Sequence, residues 1–268
     1  MEGSILKKIK KGDIVGRISY GKDIFFIVDR IIQAGNNRIA ILKGLTVRIT
    51  ADSYIDDLEL IEKETIRGNL NNLENEIISR IKKNKLNRRL YEYGRILHLD
   101  GDARYSQKSA KYYRNVGINA IVKNVSENRQ PRIILNLLER YKPDILIATG
   151  HDGMIKNGMN FNDIYNYRNS MYFIKTVKLA RMWDKNRNEL AIFAGACQSY
   201  YEALIEAGAN FASSPARILI DFIDPLIVAE NIAMAPINRF VAIRDFEREL
   251  RDGQKGISGI GSMGKRRI

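Results

Sequence analysis

Apolar positions in this chain come in two rhythms. Up to about residue 62 they form strand-sized, β-branched runs, Gly12–Ile18, Asp23–Asp29, Arg38–Lys43 and Thr46–Ile49. The turn signals Tyr20-Gly21-Lys22 and Gly35-Asn36-Asn37 separate them. Short strands at this spacing, with no helix between them, predict a small SH3-like β-barrel domain over residues 1–62. Polar and charged residues then dominate 63–94, where Leu70, Leu73, Ile77 and Ile81 recur at near-helical spacing and predict a basic linker helix.

From Arg95 to Ile268 the rhythm changes to strand and helix in alternation. Strands are expected at Ile96–Leu99, Ile118–Val122, Ile145–Ala148, Ala191–Ala194 and Asn210–Ser214. Helices are expected at Tyr105–Val116, about 131–140, Arg168–Trp183 and Ser199–Ala207. Such alternation predicts an α/β domain with a parallel sheet covered by helices on both faces. After about residue 226 the pattern is less regular. The Gly-rich, basic stretch Lys255–Ile268 is expected to be mobile.

Composition narrows the class. With 268 residues and 45% apolar content, the chain can bury a sizeable core. No apolar run approaches the roughly 18 residues of a membrane span, and Met1–Lys8 lacks the apolar segment of a secretory signal. One cysteine excludes an internal disulfide and fits a reducing compartment. Forty-four basic against thirty-one acidic residues, a formal charge of +13, favour acidic partners without choosing among them. The cluster Arg80–Lys85 with Arg88-Arg89 reads as the solvated face of the linker helix. It is also where a protease preferring basic residues would meet its own chain.

The single cysteine, Cys197, follows the apolar run Leu190–Ala196. His151, one of only two histidines, lies 46 positions earlier and follows the run Ile145–Gly150. Both runs read as buried parallel strands, and sites in open α/β sheets form at the carboxyl ends of strands. A thiol and an imidazole delivered there are the parts of a cysteine hydrolase. A helix starting near Ser199 is expected to stabilise a thiolate. The amide of Cys197, with that of Asp152 or Gly153, is a candidate oxyanion hole. Papain-like enzymes and amidotransferases carry their histidine after the cysteine, and no histidine follows Cys197. His98, flanked by Leu97 and Leu99, reads as a core histidine.

Gly150-His151-Asp152-Gly153 and Gly195-Ala196-Cys197-Gln198, each after an apolar block, resemble the caspase–gingipain–legumain clan of cysteine peptidases. That clan usually has His-Gly directly, whereas Asp152 intervenes here. Lys11–Gly16, Leu97–Asp102, Thr149–Gly153, Asn162–Arg168, Phe193–Ser199 and Gly208–Asp221 resemble the YabG family of sporulation-specific proteases more closely. This resemblance implies a caspase-like α/β fold and processing of spore coat and related proteins by cleavage next to basic residues, chiefly arginine. It further implies synthesis in the mother-cell cytoplasm, association with the forming coat, and no cofactor, metal or membrane partner.

Arginine preference calls for a carboxylate in the pocket, because guanidinium pairs with it as a bidentate fork. The candidates are Asp100, Asp102, Asp152, Asp221 and Asp224, with Asp100 or Asp102 favoured at the first strand's end. Ser213 and Ser214 are expected to border the same pocket. Two other classes compete with the peptidase. In one, Asp100 and Asp102 hold Mg²⁺ for phosphotransfer, although no P-loop is present. In the other, a basic SH3-like plus α/β adaptor binds nucleic acid, although no aromatic RNA-stacking motif is evident.

Overall fold

The computed structural model describes residues 9–83, 91–155, 160–185 and 189–268. Lys85, Arg88 and Arg89 of the basic cluster lie outside them, as do residues 1–8. The chain divides into two compact units. The first takes the described residues up to Thr46 and again Thr50–Leu73; the second takes Val47–Ile49 and the described residues from Glu74 onward. No helix among the described residues is long and apolar enough to cross a membrane.

In the first unit five antiparallel strands form one sheet, β1 (Ile14–Arg17), β2 (Phe25–Ala34), β3 (Asn37–Gly44), β4 (Thr50–Tyr54) and β5 (Leu58–Leu60). Their order is β4-β3-β2-β1-β5, and a 3₁₀ turn at Ile55–Asp57 leads into the last strand. Alternate residues such as Phe26, Val28, Ala40 and Leu42 are buried, as expected for a sheet with one face on a core. The run Thr46–Ile49 was expected in this sheet. The strand instead begins at Thr50, and Val47–Ile49 belong to the second unit. A β-branched stretch fits any extended pairing, so composition cannot tell whose edge it will join. Helix α1 (Lys63–Lys83) follows.

The second unit is a six-stranded sheet with helices on both faces. Its strands are β6 (Ile96–Asp100), β7 (Ala120–Asn124), β8 (Ile145–Thr149), β9 (Ala191–Ala194), β10 (Phe211–Ser213) and β12 (Ile257–Gly259). The helices are α2 (Ala103–Val116), α3 (Gln130–Tyr141), α4 (Ser170–Trp183), α5 (Tyr201–Glu206) and α6 (Asp224–Met234). Strand order is β7-β6-β8-β9-β10-β12, parallel except for β12. A short ribbon pairs β11 (Phe240–Val241) with β13 (Ser262–Met263). Strands β6, β8 and β9 are buried along their whole length, the mark of a sheet covered on both faces. Leu97, Leu99, Leu146, Ala148, Ile192 and Ala194 pack on α3, α4 and α5. On the other face Tyr113 of α2 meets His98, and α6 crosses β8 and β9.

Two expectations fail from Asp224 onward. Helix α6, Asp224-Pro-Leu-Ile-Val-Ala-Glu-Asn-Ile-Ala-Met234, is buried almost all round, so it has no amphipathic period to read. The C-terminal stretch is not mobile. Ile257–Gly259 completes the sheet, and Ser262, Gly264 and Lys265 are held by further pairing.

Candidate active site

Parallel pairing sets the site. Ala148 of β8 pairs with Ala194 of β9, so Thr149–His151 and Gly195–Cys197 leave the sheet side by side. Thr149 Oγ1 donates to the Gly195 carbonyl at 2.7 Å and ties the two ends together. Gly195 sits at φ +108°, and a side chain there would run into Ser213 Oγ. Asp152 cross-links the same loops through its buried carboxylate. That group accepts from the Gly153 and Asn169 amides, from Ser170 Oγ and from Ser199 Oγ at 2.7 Å. Burial pushes the Asp152 carboxyl up, and these donors pull the other way.

His151 and Cys197 are both fully buried. The His151 ring stacks on Tyr105, centroids 5.4 Å apart, and its Nε2 lies 3.8 Å from Asp102 Oδ2. Its peptide N–H donates to Glu127 Oε1 at 2.8 Å, and Asn169 Nδ2 donates to its carbonyl. The Glu127 carboxylate fills the space beside Gly101 and Gly150, where a Cβ would collide with it. Cys197 Sγ accepts from the Ile220 amide at 3.2 Å and lies 3.5 Å from the Ile220 carbonyl. Burial pushes its thiol up to about 12. That burial works against the expected thiolate. Helix α5 begins only at Tyr201 and spans six residues, too short a dipole to offset that desolvation.

The residue that sequence reasoning missed is Arg48. Its side chain is fully buried, with Nη1 2.9 Å from Asp100 Oδ2 and Nη2 donating to the Phe222 carbonyl at 3.2 Å. The guanidinium carbon lies 4.8 Å from the Tyr105 ring centroid and 5.5 Å from that of Phe222. The backbone is held as firmly. The Arg48 carbonyl accepts from the Asp152 amide at 3.1 Å and the Cys197 amide at 3.2 Å, and its N–H donates to the Ile220 carbonyl. Val47 bridges Asp221 antiparallel, and Tyr105 Oη donates to the Val47 carbonyl. The amide of Gly153 points elsewhere, to the Asp152 carboxylate.

The candidate acids separate clearly. Asp100 is fully buried. Burial would raise its carboxyl, but the Arg48 guanidinium holds it well below the usual range. His98 lies 3.6 Å from the same oxygen and shares a 3.1 Å hydrogen bond with Tyr113 Oη through Nδ1, and burial lowers its own basicity. Asp102 caps α2 through the Arg104 and Tyr105 amides and pairs with Arg104. Burial raises it, but Arg104 and His151 bring it below its ordinary value. Asp221 pairs with Arg251, and Asp224 accepts from the Asp221 and Arg251 amides, with burial pushing its carboxyl up to about 7. Ser213 and Ser214 turn their hydroxyls to the Ala196 carbonyl, and Ser214 Oγ also donates to Ile218 and accepts from the Gln198 amide. Among the described residues no group of three or more His, Cys, Asp or Glu is placed to hold a metal ion.

The carboxyl end of the sheet thus carries a thiol, an imidazole, two convergent amides and an acid-lined socket for a guanidinium. The family model described as YabG peptidase U57 matches residues 10–268. The chain belongs to that family. It is also 36% identical over 278 residues to the sporulation-specific protease YabG of Bacillus subtilis (strain 168), with 96% of each chain covered. No solved structure matches this chain. Members of a peptidase family must cut peptide bonds somewhere, and the thiol, imidazole and paired amides occur together at this rim.

Proposed function

We propose that this protein is a sporulation-specific cysteine endopeptidase that cleaves after arginine through Cys197 and His151. Spore coat and related proteins are its substrates. What supports the reading is Arg48, whose carbonyl rests on the Asp152 and Cys197 amides while its guanidinium rests on Asp100. A substrate arginine bound in the same way has its carbonyl oriented by two N–H groups, the arrangement that stabilises an oxyanion. Asp100 then selects arginine by charge, and Tyr105 and Phe222 select it by its flat cationic face.

In this mechanism His151 accepts the Cys197 proton and the sulfur attacks the scissile carbonyl carbon. The amides of Cys197 and Asp152 hold the oxyanion. The C–N bond breaks, and His151 passes its proton to the leaving amine. Water then attacks the thioester, gives a proton to His151, and releases the carboxylate and the thiol. Asp102, 3.8 Å from His151 Nε2, stands as the counter-charge for the imidazolium formed in this step.

The sheet order, with one antiparallel strand after five parallel ones, supports a caspase-like peptidase domain over 95–268. Five antiparallel strands with a 3₁₀ turn before the fifth support an SH3-like module within 1–62, Val47–Ile49 excepted. We read that module as a docking element for substrate or assembly, with residues 63–94, which begin with α1, as its linker. The test is hydrolysis of an arginine-containing peptide by wild type and by Cys197→Ala, with cuts mapped by mass. Loss of at least about a thousandfold, with wild-type cuts only after arginine, is expected. Equal hydrolysis by the two proteins would end the reading.

A further inference from the structure

Resting on that reading, we propose that Val47-Arg48-Ile49 is a built-in first substrate, and that the protein holds itself latent until it cuts its own Arg48–Ile49 bond. Five observations converge on these three residues. They belong to the second unit, although Thr46 before them and Thr50 after them belong to the first. They pair with the rim as an added strand, Arg48 donating to Ile220 and Val47 bridging Asp221. The Arg48 side chain is wholly enclosed, with Asp100 as counter-charge. Its carbonyl occupies both convergent amides. Cys197, beside it, is buried with its thiol pushed up by that burial.

A purely structural role accounts poorly for this set. Enclosing an ion pair removes two charges from water, and well-packed apolar residues would hold the chain there at no greater cost. A structural contact has no need to put a backbone carbonyl on two otherwise convergent N–H groups. A substrate needs both features. While the strand is in place, it occupies the socket against any other arginine and slows the access of reagents to the buried thiol.

The self-cut follows the chemistry given above. Sulfur adds to the Arg48 carbonyl carbon, the Arg48–Ile49 C–N bond breaks, and the proton from the thiol leaves on the Ile49 nitrogen. Water then hydrolyses the Arg48 thioester and regenerates the thiol. The new termini are the Arg48 carboxylate and the Ile49 ammonium. The carboxylate is left on the Asp152 and Cys197 amides, and with the chain cut the Arg48 side can withdraw from the socket independently of the Ile49 side.

Purified full-length wild type, Cys197→Ala and Arg48→Gln proteins test the proposal. Each is incubated and its termini are mapped by mass. Each is then assayed on an arginine peptide, and wild type, Arg48→Gln and uncut His151→Ala protein are labelled at Cys197 with iodoacetamide, with near-ultraviolet circular dichroism as the check on folding. Wild type is expected to acquire the terminus Ile49-Thr-Ala-Asp, with the same first-order course at high and low protein concentration. Cys197→Ala is expected to stay intact. Arg48→Gln is expected to lack that terminus, to cleave the peptide without a lag, and to label at least about tenfold faster than uncut His151→Ala protein. Active Arg48→Gln alongside wild type that is never cut at Arg48–Ile49 overturns this inference and leaves the peptidase reading standing. Folded Arg48→Gln that cannot cleave the peptide overturns the peptidase reading itself. Should Arg48→Gln fail to fold, the termini of wild type and Cys197→Ala decide alone: an uncut or concentration-dependent wild type overturns the proposal.

Discussion

The two ends of the six-stranded sheet each carry an aspartate–arginine pair, and the pairs differ in kind. At the amino end Asp144 takes Arg95 at 3.3 Å and Arg267 at 2.8 Å, with both arginine side chains more than 40% exposed. At the carboxyl end Asp100 takes Arg48 at 2.9 Å with neither side chain reached by solvent. The outer pair is screened by water and fastens β6, β8 and the C-terminal strap at small gain. The inner pair carries the full desolvation penalty, so stability alone accounts for it poorly. On the function proposed above, the same chemistry serves as a clasp at one end and as a selector at the other.

The sharpest way to break this contrast is to neutralise each aspartate. Asp100→Asn removes the counter-charge in the enclosed socket and is expected to lower kcat/KM on arginine peptides by about a hundredfold or more, the scale of an uncompensated buried charge. Iodoacetamide labelling of Cys197 in that variant is expected not to slow. Slowed labelling would mean that Asp100 serves the thiol rather than the pocket.

A second effect comes from the buried thiol. In intact His151→Ala protein the plug stays seated, and burial raises Cys197 to about 12. Below that value the thiol is protonated, so labelling should rise about tenfold per pH unit from pH 7 to pH 10. A plateau near pH 8 would indicate an exposed, ordinary thiol.

Glu127 offers a smaller effect. It holds the His151 amide, so Glu127→Ala is expected to lower kcat by about tenfold with little change in KM, and Glu127→Gln to restore it. Equal loss in both variants would point to packing against Gly101 and Gly150 instead. The smallest effect belongs to the amino end. Asp144→Asn is expected to cost about 0.5–1 kcal/mol in denaturant unfolding and to leave peptide hydrolysis within about twofold of wild type.

The alternation from Arg95 onward was legible because its central runs, β6, β8 and β9, are buried on both faces, and their ends could be read as a candidate site. His151, Cys197 and Asp100 became candidates in that way. Arg48 was not, since Thr46-Val-Arg-Ile49 looks the same whether it pairs within its own sheet or on another unit's rim. Glu127 lies on a 3₁₀ turn 24 residues before the amide it holds, a link with no local pattern. The Asp152 carboxylate, first read as a pocket acid, is spent on four donors from three loops. Helix α6 had no period to reveal it, and the glycines near the C-terminus mark close backbone approach rather than motion.

The central claim is that a guanidinium read by Asp100 decides which bond is cut. It is tested most directly by comparing kcat/KM for a peptide containing arginine with one containing citrulline, its neutral isostere, in wild type and Asp100→Asn. The account predicts an arginine preference of at least about a hundredfold in wild type that collapses toward unity in the variant. Equal cleavage of the two peptides by wild type, or a preference untouched by the substitution, would contradict it.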